Sequence, residues 1–395
     1  MKKKMRIGEP VIVAQGPEVK EAGWGPYQFP GLAFLTDGRI LYSFNAGADS
    51  ETAYGNRPGV RISADGGYNW VDTTDTELQN STGCLLLNGD RISFITPPSV
   101  PLEGLSLPEP IGKTWLGHSI YRIEEVSREY CDDTWRLRRT AAGSDTAVEE
   151  RVKLNWPHMI TRSVKGVLVC PHPRGRLRIG NDGALWMPHY DLAGTNPKNG
   201  GLVPYLCIYL FKSTDYGYTW YLVNWLPYVP DTDIDPMAFE HEGYGENDIA
   251  FAPDGTMINL IRTNGCYPKQ GPCYIRFSKD AGCTWTALKR FDDKGVWPCL
   301  LALECGVTLA SYGRPGLYLR ATDHPSAMEW DSPVELIAPP QSKTDGIIAN
   351  NTCSYTNMLP LGSHSALLAY SDWTVKDKAG IPRKSMMVRH ISIKE

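Results

Sequence analysis

Chemistry-bearing side chains crowd into one short stretch, His241-Glu242-Gly243-Tyr244-Gly245-Glu246, which is polar and broken by glycine. An imidazole titrates near neutral pH and can give or take a proton. A phenol ionises near pH 10 and needs an adjacent base to attack at neutral pH. A loop feeding the central face of a repeat protein would have this composition. A second pair, His189-Tyr190, ends the apolar run Leu185-Trp186-Met187-Pro188 and is placed to line a pocket. The alternating acids Asp231, Asp233 and Asp235 read as a solvated loop, with calcium binding as the alternative. The ten cysteines are scattered, and none forms a CxxC pair at zinc spacing. No metal and no cofactor is expected.

The elements that must carry these groups are announced by a repeat. Ser63-Ala-Asp65-Gly-Gly67-Tyr-Asn-Trp70, Ser213-Thr-Asp215-Tyr-Gly217-Tyr-Thr-Trp220 and Ser278-Lys-Asp280-Ala-Gly282-Cys-Thr-Trp285 share Ser-x-Asp-x-Gly-x-x-Trp. The Asp carboxylate can accept backbone N–H groups two residues on and close a turn. The Trp then buries a large face below it. These aspartates read as structural. Weaker echoes end at Trp135 and Trp330.

A second rhythm supports the first. An apolar run, a polar turn and another apolar run recur at Asp37-Gly38, Asn88-Gly89, Asp182-Gly183, Asp254-Gly255, Cys305-Gly306 and Leu361-Gly362. The reading is an all-β, six-bladed β-propeller of four-stranded antiparallel blades, with cores at 27–75, 80–140, 165–225, 245–290, 295–335 and 350–395. A seven-bladed ring is the alternative. Residues 140–164 read as an insertion. The run Pro10-Val11-Ile12-Val13 is expected to pair with the last blade, so that residues 1–395 form one domain whose ring is closed by N- and C-terminal strands.

Composition sets bounds. Of 395 residues, 42% are hydrophobic, with 12 Trp and 20 Tyr, which suits a sizeable core and aromatic platforms for sugar rings. The net charge of −4 and the lack of a Lys/Arg block beyond Lys2-Lys3-Lys4 argue against nucleic acid. No run is long and apolar enough for a membrane span. No apolar h-region follows the start, so a cytoplasmic protein with reduced thiols is expected, or a secreted one if a leader was removed. In the latter case a Cys266–Cys273 bridge is the alternative.

The octet with this hairpin rhythm resembles the sialidase (neuraminidase) superfamily, over nearly the whole chain from Tyr27 to about Asp372. Phe29-Pro30-Gly31-Leu32 with Asp37-Gly38-Arg39-Ile40-Leu41 resembles the family's opening Arg-Ile-Pro strand and hairpin. Glu246-Asn247-Asp248, with Arg262 after the next hairpin, is similar to the catalytic glutamate and a substrate arginine. Ser311-Tyr312-Gly313-Arg314 resembles the next arginine segment. Ser354-Tyr355-Thr356-Asn357-Met358 resembles the stretch with the nucleophilic tyrosine. The resemblance implies an exo-acting glycoside hydrolase that releases a terminal sialic acid or related acidic sugar. Tyr355 would be nucleophile, Glu246 base, and Arg262 and Arg314 carboxylate ligands. Asp49 and Glu51 offer the general acid, and Asp49 is taken. Gln28 stands where the family's first arginine belongs, so the clamp is incomplete unless Arg39, Arg57 or Arg61 substitutes. Gln28, His241, Tyr244, His189 and Tyr190 complete the expected substrate contacts. Two other readings remain: a polysaccharide lyase acting on a uronate, using His241, Tyr244, Arg262 and Arg314, and a non-catalytic glycan-binding propeller.

Overall fold

The structure, a computed structural model, describes residues 3–22, 24–47, 58–73, 83–126, 135–144, 146–265, 271–340 and 351–394. It is built almost wholly of antiparallel strands. Six sheets follow one another along the chain, each with its strands in the order they leave the ribosome. The first holds Gln28–Phe34, Ile40–Asn45, Pro58–Ser63 and Val71–Asp72. The second holds Cys84–Leu85, Arg91–Ile95, Arg136–Thr140 and Ala147–Arg151. The third holds Arg178–Ile179, Leu185–Asp191, Cys207–Ser213 and Thr219–Leu226, with Lys153–Asn155 added in parallel at its outer edge. The fourth holds His241–Phe251, Met257–Gly265, Cys273–Ser278 and Lys289–Asp292. The fifth holds Val296–Ala302, Thr308–Gly313, Leu317–Thr322 and Val334–Ile337. The sixth holds Asn357–Gly362, Ser365–Asp372 and Arg383–Lys394. Two strands from the other end of the chain lie on Arg383–Lys394: Lys4–Ile7, with Lys4 opposite Lys394, and Val11–Glu18, with Val11 opposite Val388.

The core lies between sheets rather than inside any one. Leu185, Tyr209 and Trp220 of the third sheet pack with Ile92, Trp135 and Leu137 of the second. Trp186, Leu210, Ile249 and Met257 join the third to the fourth. Leu260, Phe277, Leu300 and Tyr312 join the fourth to the fifth, and Leu309, Leu319, Leu368 and Met387 the fifth to the sixth. Tyr42, Phe44, Leu367 and Val388 join the sixth back to the first, and Gln28–Phe34 lies against Cys84–Leu85 of the second. Strand alternation explains this. Each strand shows one side chain to each neighbouring sheet, so both faces must be apolar.

Five hairpins use one turn. At Leu35–Arg39, Leu86–Asp90, Gly180–Ala184, Ala252–Thr256 and Leu303–Val307 the first residue bonds the fifth, and the glycine N–H returns to the first carbonyl. The sixth differs. Gly362 is still paired, with Ser365, so the turn falls on Ser363-His364 and not on Leu361-Gly362. The three octets repeat to the atom. The Ser Oγ accepts the Gly67, Gly217 or Gly282 N–H at 2.8–2.9 Å. Asp65, Asp215 and Asp280 accept the N–H four residues on, not two, at 2.8–2.9 Å. The Trp Nε1 donates to the glycine carbonyl in each.

The stretch 140–164 is not a plain insertion. Ala147–Arg151 is the outer strand of the second sheet, paired to Arg136–Thr140. The true excursion is an extra five-stranded sheet of Val100–Pro101, Gly112–Lys113, Ser119–Arg122, Ile160–Val164 and Val167–Val169. The four antiparallel strands of the third sheet therefore begin at Arg178, later than the expected 165. Eight described cysteines are free thiols, Cys273 among them, while Cys131 and Cys266 lie outside the described residues. No described helix is long and apolar enough to cross a membrane.

Candidate active site

A cavity of about 1430 Å³ is lined by residues from all six sheets. The innermost strands do not reach it as regular strands. Gln28–Phe34 slips register between Gln28 and Gly31, His241–Phe251 between Tyr244 and Asn247, and Val296–Ala302 between Val296 and Cys299. Each is a bulge with two residues facing one, the device that re-aims a side chain at a sheet end. The bulges turn Phe29, Glu246 and Trp297 into the cavity. Phe29 and Trp297 take positive φ, 57° and 41°, as do Arg314 at 63° and Ser354 at 65°. Four non-glycine residues with φ above zero around one cavity mark stored backbone strain, which clusters at functional sites.

Glu246 is the hub. Its Oε1 accepts the Tyr355 hydroxyl. Its Oε2 accepts Arg262 Nη1 at 2.6 Å and the Trp297 backbone N–H at 2.9 Å. Burial pushes this carboxyl up, but the Arg262 guanidinium, the hydrogen bonds from Tyr355 and Arg262, and the field of Arg314 prevail and hold it below its ordinary range. Burial, then the Glu246 charge, pushes the Tyr355 phenol well above its ordinary range, against Arg262 and Arg314. The phenol is therefore un-ionised at rest, with its proton already aimed at a base.

Tyr355 is held from every side. Its ring stacks on Trp297 at 5.3 Å and meets the Phe29 edge at 4.7 Å. Arg314 lies 5.6 Å from the ring centroid and 4.9 Å from that of Trp24, and donates to the Cys353 carbonyl at 2.8 Å. The flanking residues are pinned too. Ser354 Oγ donates to Gly316, and Thr356 Oγ1 pairs with Ser311 Oγ at 2.7 Å.

Sequence reading did not single out the segment His172-Pro173-Arg174-Gly175-Arg176-Leu177-Arg178, although its arginines alternate with period two and its residues line the cavity. Gly175 is obligatory. With φ near +156°, an added Cβ would meet the Pro188 carbonyl at 2.0 Å. Arg176 lies 4.9 Å over Trp297 and donates to the carbonyls of Pro298 and Thr356. Arg178 pairs with the buried Asp248, which also takes the Leu300 N–H at 2.8 Å and lies 3.6 Å from Arg176. Arg174 lies 5.8 Å over the Tyr190 ring, and its N–H donates to His189 Nδ1.

Of the expected site residues, Glu246, Arg262, Arg314, Tyr355 and Tyr190 line the cavity. His241, Tyr244, His189 and Gln28 are not among its lining residues. His241 is buried against Asp235 at 2.8 Å, and strand alternation sends Glu242 to the cavity instead. Tyr244 packs edge-on against Tyr228 at 4.9 Å. His189 sits among Trp135, Trp156 and Phe211, and burial pushes its imidazole down to about 4. Gln28 is wholly buried, and neither amide atom has a partner among the described residues. Arg39 pairs with Asp37 in an exposed hairpin and Arg61 with Asp72, so neither takes the missing arginine's place; Asp49, Glu51 and Arg57 lie outside the described residues. Asp231 and Asp233 are exposed, and no described group of three His, Cys, Asp or Glu is placed to hold a metal.

No protein-family profile matches the chain, and a search of curated proteins finds no match. Solved structures do match. A protein of unknown function from Dyadobacter fermentans aligns over 99% of both chains at 14% identity and TM-score 0.61. An α-L-arabinanase of Penicillium chrysogenum aligns over 97% of this chain and 98% of its own, at 14% identity and TM-score 0.50. An α-L-arabinofuranosidase of Fusarium graminearum aligns over 97% of each at 12% and 0.50. The chain has the sialidase-like β-propeller fold. At these identities the likeness speaks for the fold alone. In this propeller the cavity lies where the innermost strands of successive sheets converge. Chemically it presents a hydrogen-bonded phenol–carboxylate pair, aromatic walls and several guanidinium groups.

Proposed function

We propose that the six sheets are six blades of one propeller, that the octets are its Asp-boxes, and that the protein is an exo-acting glycoside hydrolase for a terminal acidic sugar. The observation that carries this reading is the Tyr355 hydroxyl donating to Glu246. A neutral nucleophile suits an anionic sugar, which would repel a carboxylate. In the first step Tyr355 Oη bonds to the anomeric carbon, its proton passes to Glu246, and the aglycone leaves with the glycosidic electron pair. A general acid protonates the leaving oxygen, and Asp49 is assigned that role. Water then displaces the tyrosine, so configuration is retained. Arg314, half-buried and without a carboxylate partner among the described residues, takes the sugar's acid group.

The test is turnover on chromogenic α- and β-glycosides, sialosides and uronides included, with arabinosides added because two proteins of this fold carry arabinose-active names. Wild type should release chromophore from at least one. Tyr355→Phe and Glu246→Gln should each lose about 10²–10⁴-fold in kcat with unchanged circular dichroism. Variants that cleave like wild type would remove the assignment.

A lyase reading keeps one specific support. His172 lines the cavity and its Nδ1 is 3.2 Å from the Cys170 carbonyl, which leaves Nε2 as the acceptor when Nδ1 carries the proton. Burial, with Arg174 adding to it, pushes this imidazole down to about 3, so it is neutral. An unsaturated product absorbing in the near ultraviolet from a uronate polymer would select that reading.

A further inference from the structure

The cavity's charges do not cancel. Arg262 is paired with Glu246, Arg176 and Arg178 lie on Asp248, and Arg138 is paired with Glu149 at 3.1 Å. Two lining guanidiniums have no carboxylate within ion-pair distance among the described residues, Arg314 and Arg174. They do not sit together. Arg314 covers the Tyr355 ring, and Arg174 covers the ring of Tyr190, a phenol whose field reaches Tyr355 and Arg262. Arg174 and Tyr190 line the cavity from the third-sheet side, Glu246 and Arg262 from the fourth, and Arg314 from the end of the fifth sheet's second strand. The Arg174 backbone is fixed by its N–H bond to His189 and by the close approach of Gly175 to Pro188, and its guanidinium lies over the Tyr190 ring.

We infer that Arg174 forms a second acid-recognising subsite, so that the ligand is a glycan with acidic groups on two adjacent sugars, one held at Arg314 and the other at Arg174. A guanidinium fork fits a carboxylate or a sulfate equally well, and each of the other lining guanidiniums already has a carboxylate within ion-pair distance. Tyr190 gives the intervening ring a face to stack on. This inference rests on the acidic-sugar reading of the same cavity and extends it to the neighbouring sugar.

The test is calorimetric titration with a panel of acidic disaccharides: diuronates and sulfated uronate disaccharides. Each is paired with a carboxyl-reduced or desulfated counterpart that retains one acidic group. Wild type should bind at least one doubly acidic probe roughly tenfold tighter than its counterpart, the worth of one charge-assisted contact. In Arg174→Met that ratio should fall to about one, and Arg174→Lys should restore part of it. Melting temperatures identify any variant that fails to fold. The proposal is overturned if wild type prefers no doubly acidic probe, or if Arg174→Met keeps the wild-type ratio. The carboxyl-reduced and desulfated arms show which acid Arg174 holds. The hydrolase reading is judged separately by turnover. Should Tyr355→Phe and Glu246→Gln cleave like wild type while the Arg174 ratio still collapses, the chemistry assignment fails and the subsite stands.

Discussion

At the scale of single residues, the proposed chemistry hinges on the protonation of Glu246. Its carboxyl sits below the ordinary 4.5 because cations and hydrogen bonds outweigh burial. A base must be ionised, so the acid limb of kcat/KM should lie below pH 4.5. Arg262→Met removes the largest influence opposing burial, so the limb should move to higher pH in a pH–rate profile. The same sign governs stability. A carboxyl depressed in the folded state contributes fully above its ordinary value, and the contribution is lost as pH falls through the folded value. Glu246→Gln should therefore flatten the acid side of a melting-temperature profile. Gln28 makes the opposite case. A buried amide with no partner costs free energy, so Gln28→Met should hold or raise the unfolding free energy by up to about 1–3 kcal/mol, read in chemical denaturation. That Tyr355, Glu246, Arg262 and Arg314 belong to one cavity is legible in the chain, because each sits in a recognisable local pattern. Arg174 and Arg176 were legible in principle from their alternation, which was overlooked. His241 and Tyr244 misled because the crowded stretch is a strand and not a loop, so alternate side chains leave on opposite faces.

At the scale of elements, three bulges do what regular strands cannot. Sequence rhythm gave the hairpins and octets, since those are closed by local bonds between residues four apart. A bulge has no such signature, so the inward turn of Trp297 and Phe29 is visible only in the folded chain. The fourth sheet shows how tightly this is built. Gly243 has φ near +124°, and a Cβ there would lie 2.5 Å from the Leu206 carbonyl. Gly243→Ala should cost about 1–3 kcal/mol and lower kcat by displacing Glu246, visible in chemical denaturation and turnover together. Asp248 ties the third, fourth and fifth sheets beneath the site. Asp248→Asn would leave the buried Arg176 and the half-buried Arg178 beside a neutral amide, and should cost about 3–5 kcal/mol, with Tyr355 chemistry impaired as Trp297 loosens.

At the scale of the whole molecule, apolar clusters join each sheet from the second onward to the next and the sixth back to the first. Removing residues 1–18 would strip the sixth sheet of both strands that cover Arg383–Lys394 and leave Met387, Val388 and Ile391 beside an open edge. The expected result is a lower melting temperature and concentration-dependent association in light scattering. Folding should be a single transition in the intact chain, because the sheets share their cores. The pairing of Lys4 with Lys394 has a mechanical corollary. The two ends of the described chain lie side by side and run antiparallel, so a force that draws them apart opens their hydrogen bonds one at a time, as a zip opens, rather than all together in shear. A peptide bridge of a few residues would span the same gap, and the chain could then be cut anew at Ser363-His364 with its ring of contacts intact.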